Sequence, residues 1–163
     1  MNLKTSYKIS IPTTNGFVGR RCSNQECRKY FQIHETSINP ELICPYCGQK
    51  GPIDAMMTEQ QKNYALNVVA EEAMSQIVDE FHNMFKGLER STSGSKFIKF
   101  KASSQPYHKK YIQPPVDNKI DSEITCSECN GSFQVYGIFG FCPLCKYENI
   151  KIYLDSLNET CLS

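Results

Sequence analysis

Eight cysteines fall into four close pairs, and the pairs fall into two sets. The first set joins Cys22-Ser23-Asn24-Gln25-Glu26-Cys27 to Cys44-Pro45-Tyr46-Cys47-Gly48. The second joins Cys126-Ser127-Glu128-Cys129 to Cys142-Pro143-Leu144-Cys145. Thiolates presented in such pairs suit a borderline-soft divalent ion held in a closed tetrahedron. The spacing therefore assigns Cys22, Cys27, Cys44 and Cys47 to one ion, and Cys126, Cys129, Cys142 and Cys145 to another. Zinc is the expected cofactor, as two ions, and iron satisfies the same spacing. The residues between the pairs repeat as well. Four positions past each Glu-Cys step come Phe31-Gln32-Ile33 in one copy and Phe133-Gln134-Val135 in the other. The ninth cysteine, Cys161, has no neighbour at ligand spacing and reads as incidental.

This chemistry is structural in kind. A catalytic zinc keeps one position open for water and usually carries histidine ligands. Here four cysteines close each set, and His34, His82 and His108 are scattered along the chain. No nucleophile triad, phosphate-binding glycine loop or paired carboxylates stand out, so the chain is read as non-enzymatic. Cys44-Pro45-Tyr46-Cys47 also matches the active-site tetrad of glutaredoxins, which makes thiol redox chemistry through Cys44 and Cys47 a remote alternative. That motif needs a helix directly after it. Gly48-Gln49-Lys50-Gly51-Pro52 cannot start one, and Cys22 and Cys27 would lose their partners.

Several short elements must position these cysteines. Residues 1–15 read as a polar lead-in, and Gly16 to Arg21 as a strand delivering the chain to Cys22. Lys29 to His34 alternates Tyr30, Gln32 and His34 with Phe31 and Ile33. Glu41-Leu42-Ile43 returns the chain to Cys44, and Gly48 supplies a positive φ at the second turn. Thr58-Glu59-Gln60-Gln61 fits a capping box opening one long helix over 58–90. Its apolar residues Leu66, Ala70, Ala73, Ile77, Phe81, Met84 and Leu88 recur every three or four positions, widened by Val69, Met74, Val78 and Phe85. Its length, about 50 Å, exceeds either cysteine module. Residues 91–120 form a basic and aromatic strand and connection. The second module occupies 121–155, with Gly131 making its turn and Asn149 to Leu154 closing it, and 156–163 is a frayed tail. The fold class expected is small, metal-stabilised α+β: two four-cysteine β-hairpin modules (16–57 and 121–155) separated by one long amphipathic helix. Each module is expected to fold independently of the other.

The cysteine sets resemble zinc ribbons, a broad group found in transcription factors, RNA polymerase subunits, topoisomerase tails, ribosomal proteins and adaptor proteins. The resemblance implies two β-hairpins clasping each ion and leaves function open. Transcript-cleavage factors of that group carry an adjacent Asp-Glu pair at the hairpin tip. The first module has only Glu35 and Glu41 there, well apart, and Asn130 to Phe141 has no acid.

Charge is segmental behind a formal net of +1. Residues 91–120 carry six Lys/Arg against one acid, and residues 121–163 carry two against six. Two four-thiolate sites with divalent ions would shift the total to about −3. Nucleic-acid contact is supported by Lys96, Lys99, Lys101, Lys109 and Lys110 interleaved with Tyr107 and Tyr111, a pattern suited to single strands. Arg20, Arg21, Arg28 and Lys29 form a second basic cluster, which the thiolate charge offsets. The apolar helix stripe asks instead for a protein partner or for self-association through 58–90. An interaction or adaptor module is ranked slightly ahead of a single-stranded DNA or RNA binder. No run is apolar enough for a membrane span, none at the start suits a signal peptide, and the expected location is cytoplasmic.

Overall fold

The computed structural model describes residues 6–13, 15–94, 107–120 and 122–149. The described residues form a small α+β protein with one long helix, two small antiparallel sheets and two groups of four cysteines. The chain divides into two units, one of Pro12–Lys62 with Pro115–Ser163 and one of Met1–Ile11 with Asn63–Pro114.

In the first unit, β1 (Phe17–Arg21) pairs antiparallel with β2 (Tyr30–His34). Strands β3 (Glu41–Ile43) and β4 (Lys50–Pro52) form their own hairpin around the second cysteine turn. Later in the chain, β5 (Glu123–Thr125) pairs with β6 (Ser132–Val135). The two halves then meet directly, because β2 pairs with β6 and the larger sheet runs β1-β2-β6-β5.

That junction is built from the repeated tripeptides. Gln32 lies opposite Gln134, Phe31 opposite Val135, and Ile33 opposite Phe133. An aromatic ring thus faces a β-branched side chain on each side of a local two-fold axis, a favourable cross-strand pairing. The cysteine turns repeat the exchange. Ile43 N–H donates to Pro143 O at 2.9 Å, and Phe141 N–H donates to Pro45 O at 3.1 Å. One buried cluster results, containing Phe31, Ile33 and Leu42 from the first half and Phe133, Val135 and Phe139 from the second. The modules expected to stand separately thus share one apolar cluster among the described residues. Units this small do not bury enough apolar surface alone, and pairing supplies the remainder.

Residues 115–120 are clamped to the first half. Asp117 accepts from Gly19 N–H at 3.2 Å and from the Tyr30 hydroxyl at 3.0 Å, and Gln32 Nε2 donates to Asn118 O at 2.7 Å. Gly19 is required by space, since an added Cβ would lie 2.2 Å from Asp117 Oδ1.

Helix α1 (Glu59–Thr92) begins in this unit and continues in the other. The capping box forms: Gln61 N–H donates to Thr58 Oγ1 at 3.3 Å, and Thr58 N–H donates to Gln61 Oε1 at 3.2 Å. Gln61 has a second task. Fully buried, it accepts from Arg20 Nη1 at 3.0 Å and donates to Gly19 O at 2.9 Å. In the second unit Tyr107 and Lys110 fasten to Glu71 of α1, and Lys109 pairs with Glu72. The strand expected over Lys96–Ala102 and the closing strand over Asn149–Leu154 lie wholly or almost wholly outside the described residues, as do the tail and Cys161.

This packing has two measurable consequences. Cys44→Ser is expected to deplete metal at both centres and to give one unfolding transition, read by metal analysis and scanning calorimetry. Retention of one ion in a folded second half would show that the halves stand alone. Gln61→Ala leaves the buried Arg20 guanidinium short of an acceptor and is expected to cost about 2–4 kcal/mol, measured by urea denaturation of the metal-loaded chain.

Candidate metal centre

The structure brings all eight expected ligands together as two groups of four, each with its sulfurs within 4.8 Å of one another. Cys22 follows β1 and Cys27 precedes β2, so the first turn is the connection of that hairpin. Cys44 and Cys47 sit in the β3–β4 connection, Cys126 and Cys129 between β5 and β6, and Cys142 and Cys145 in the last turn.

Each turn is wound by a short backbone bond around its first cysteine. Gly48 N–H donates to Cys44 O, Asn130 N–H to Cys126 O, and Lys146 N–H to Cys142 O, all within 2.9–3.1 Å. In the longer first turn the carbonyl is that of Asn24, which accepts from Cys27 and Arg28 N–H. The residue after each second cysteine then has positive φ: Arg28 at 43°, Gly48 at 71°, Asn130 at 55° and Lys146 at 65°. Non-glycine residues reach this region at a cost, so three of the four turns hold strain to aim their sulfurs. Backbone N–H groups also approach the sulfurs directly, from Asn24 to Cys22 Sγ at 3.4 Å and from Leu144 to Cys142 Sγ at 3.5 Å.

Gly131, expected to make the first turn of the second module, follows the residue with positive φ, Asn130. Gly131 is instead fixed by close packing, because a Cβ on it would meet Leu144 Cδ1 at 2.0 Å.

Metal fits these groups. Sulfur–sulfur separations are 3.6 Å for Cys22–Cys47, and 3.7 Å for each of Cys27–Cys44, Cys126–Cys145 and Cys129–Cys142. A tetrahedron with metal–sulfur bonds of ~2.3 Å has edges of about 3.8 Å. A disulfide would require sulfurs about 2.05 Å apart, and all eight thiols are free. These approaches also cross between pairs, as a shared ion demands. Strand β4 follows Cys47 where a glutaredoxin-type site needs a helix.

Electrostatics distinguishes ligand positions. Burial pushes the Cys22 thiol up to about 11 and raises Cys44 and Cys142 as well. At Cys47 burial acts upward too, but the Gln49 N–H and the neighbouring thiols outweigh it and the net shift is down. Without an ion the inner thiols thus hold their protons at neutral pH. Among the described residues, the groups able to hold a metal consist of these cysteines alone. His34 bonds Thr36 Oγ1 at 2.8 Å and packs edge-on against Phe17.

The basic residues expected to act together are dispersed. Arg20 points inward to Gln61 and Gly19 O, with burial lowering its pKa. Lys29 lies over the Tyr46 ring at 4.8 Å. Arg21 and Arg28 instead join Lys62 and Glu59 in lining a cavity of about 200 Å³ beside Cys22. Of the candidate nucleic-acid contacts, Lys96, Lys99 and Lys101 lie outside the described residues. Tyr107 donates to Glu71 at 2.6 Å, a bond that lowers the Glu71 pKa and raises that of Tyr107. Lys109 pairs with Glu72, Lys110 is held by its backbone N–H to Glu71, and Tyr111 is exposed. The contribution of Lys62 to the cavity was not legible from local charge runs, since it lies 34 positions past Arg28 in sequence.

Comparison with known protein families, curated proteins and solved structures returns no match. No helix among the described residues is long and apolar enough to cross a membrane.

Binding a metal must displace the protons of the raised thiols, so affinity should rise with pH. We expect apparent zinc affinity to increase by about tenfold or more per pH unit between roughly pH 6 and 8, read by competition with a chromophoric chelator. A flat profile would contradict protonated inner thiols.

Proposed function

We propose that this chain is a non-catalytic interaction module of zinc-ribbon type, in which two structural zinc ions hold the paired hairpins and helix α1 offers the contact surface. One observation carries the reading. Of 34 helical residues only Gln61 is buried, while Leu66, Met74, Phe81, Met84 and Leu88 are left exposed on a repeating stripe. Contiguous exposed apolar surface of this kind marks sites of association. Zinc is favoured by four closed thiolates at tetrahedral spacing, and a closed coordination sphere supports a structural role over catalysis.

Nucleic-acid binding is a second reading, supported by Arg21, Arg28 and Lys62 around one cavity. Against it stand the −2 charge of a loaded thiolate site beside Cys22 and the engagement of Lys109 by Glu72.

The test is affinity selection of peptides against the zinc-loaded chain, repeated with Phe81→Glu/Met84→Glu and with Arg21→Ala/Arg28→Ala. Ligands lost in the first variant and kept in the second are expected. Micromolar binding of single-stranded DNA or RNA that weakens steeply with salt and disappears in the second variant would overturn the reading. Metal analysis should return two zinc ions per chain, without the visible absorption of iron–thiolate centres.

A further inference from the structure

The stripe on α1 has an internal symmetry. Leu66, Ala70, Ala73, Ile77, Phe81, Met84 and Leu88 are spaced four, three, four, four, three and four residues apart. The series reads the same in both directions about Ile77. At about 100° per residue, all seven lie within about 40° of one line along the helix. Side-chain size follows the symmetry in a complementary sense. Inverting the helix about Ile77 sets Leu66 against Leu88, Ala70 against Met84 and Ala73 against Phe81. Both alanines thus meet large residues, which fills space; a parallel, in-register pairing would set alanine on alanine and phenylalanine on phenylalanine.

We infer that helix α1 pairs with the α1 of a second copy of this chain, antiparallel and across a two-fold axis at Ile77. The inference rests on the reading of α1 as a contact surface and names its occupant. The size is adequate. Eight apolar side chains from Leu66 to Leu88 lie within about 60° of that line; at ~70 Å² each they remove about 560 Å² per copy, or about 1,100 Å² in total, above the ~1,000 Å² expected of a specific interface. Opposed helix dipoles favour this sense of pairing.

Charge also selects the occupant. Between Leu66 and Leu88 the one charged residue within about 60° of the stripe is Glu80, and inversion sets it beside Met74 of the second copy. No cation of α1 itself borders that length of stripe, so the helix surface offers neither a phosphate backbone nor an anionic bilayer its usual contacts. The segment that follows the helix in the second unit is fastened on another side. Tyr107, Lys109 and Lys110 bond to Glu71 and Glu72, which lie about 120° and 140° from the stripe on the far side of the helix.

Sedimentation of the full zinc-loaded chain across the micromolar range tests the pairing, using two exposed positions. Dimeric wild type is expected, with Ala70→Glu and Met84→Lys each weakening association by about tenfold or more. The double variant should recover it, because the introduced carboxylate of one copy then faces the introduced ammonium of the other, twice over. An equimolar mixture of the two single variants should recover association as well. Zinc content of two ions per chain checks that each variant remains folded. A double variant as weak as the single ones would overturn the antiparallel register, and a dimer indifferent to both substitutions would overturn the seam. A monomeric wild type would overturn self-pairing altogether. The peptide selection with Phe81→Glu/Met84→Glu would still report separately whether α1 is a contact surface.

Discussion

Everything in the cysteine-bearing unit depends on the antiparallel pairing of β2 with β6. A four-sulfur site can organise two turns, but it cannot by itself give a hairpin of short strands a core. Here Phe31 and Ile33 acquire one only because Val135 and Phe133 are brought opposite them. The reciprocal bonds from Ile43 to Pro143 and from Phe141 to Pro45 then lock the inner turns together. Metal and core are consequently coupled: the buried ligands Cys126 and Cys142 are themselves members of the apolar cluster. Because the metal free energy of small modules is folding free energy, on the order of 10 kcal/mol, an ion lost from either group would be felt at both.

The same unit shows how a polar group can be buried at acceptable cost. Arg20 sits at 5% exposure, and its Nε has no hydrogen-bond partner among the described residues. Its Nη1 is met by Gly19 O and by Gln61 Oε1, an oxygen that also caps the backbone of Thr58. One side chain therefore ties strand β1 to the first turn of α1, so the helix start is fixed by the sheet as well as by its own cap.

Much of this was legible in the sequence wherever the signal is local. Cysteine spacing marked out the same two groups of four that the structure brings together, alternation placed β1, β2, β3 and β6, and Thr58 with Gln61 marked the helix start. The join between the halves was not legible, although its residues were recognised as a repeat. Pairing partners about a hundred positions apart are chosen by complementary faces, and short alternating strands look alike whether they stay single or pair. Arg20 illustrates the same limit. Charge counting groups it with Arg21, whereas the period-two geometry of a strand sends neighbouring side chains to opposite faces, one into the core and one to solvent. The roles of Gly19 and Gly131 were equally hidden, since both are set by contact with residues remote in sequence.

The two-fold relation inside the sheet carries a last consequence. In a homodimer, an isologous interface obliges both surfaces to change together. Here the two partners belong to one polypeptide, so each position is specified once. The halves share their cysteines and tripeptides yet differ freely elsewhere. Arg28 and Lys29 follow Cys27 in one, whereas Asn130 and Gly131 follow Cys129 in the other; the first turn encloses four residues and its counterpart two. Covalent linkage thus lets the two ends of the sheet differ: the first cysteine turn of one half is followed by two cations, and its counterpart in the other half by none.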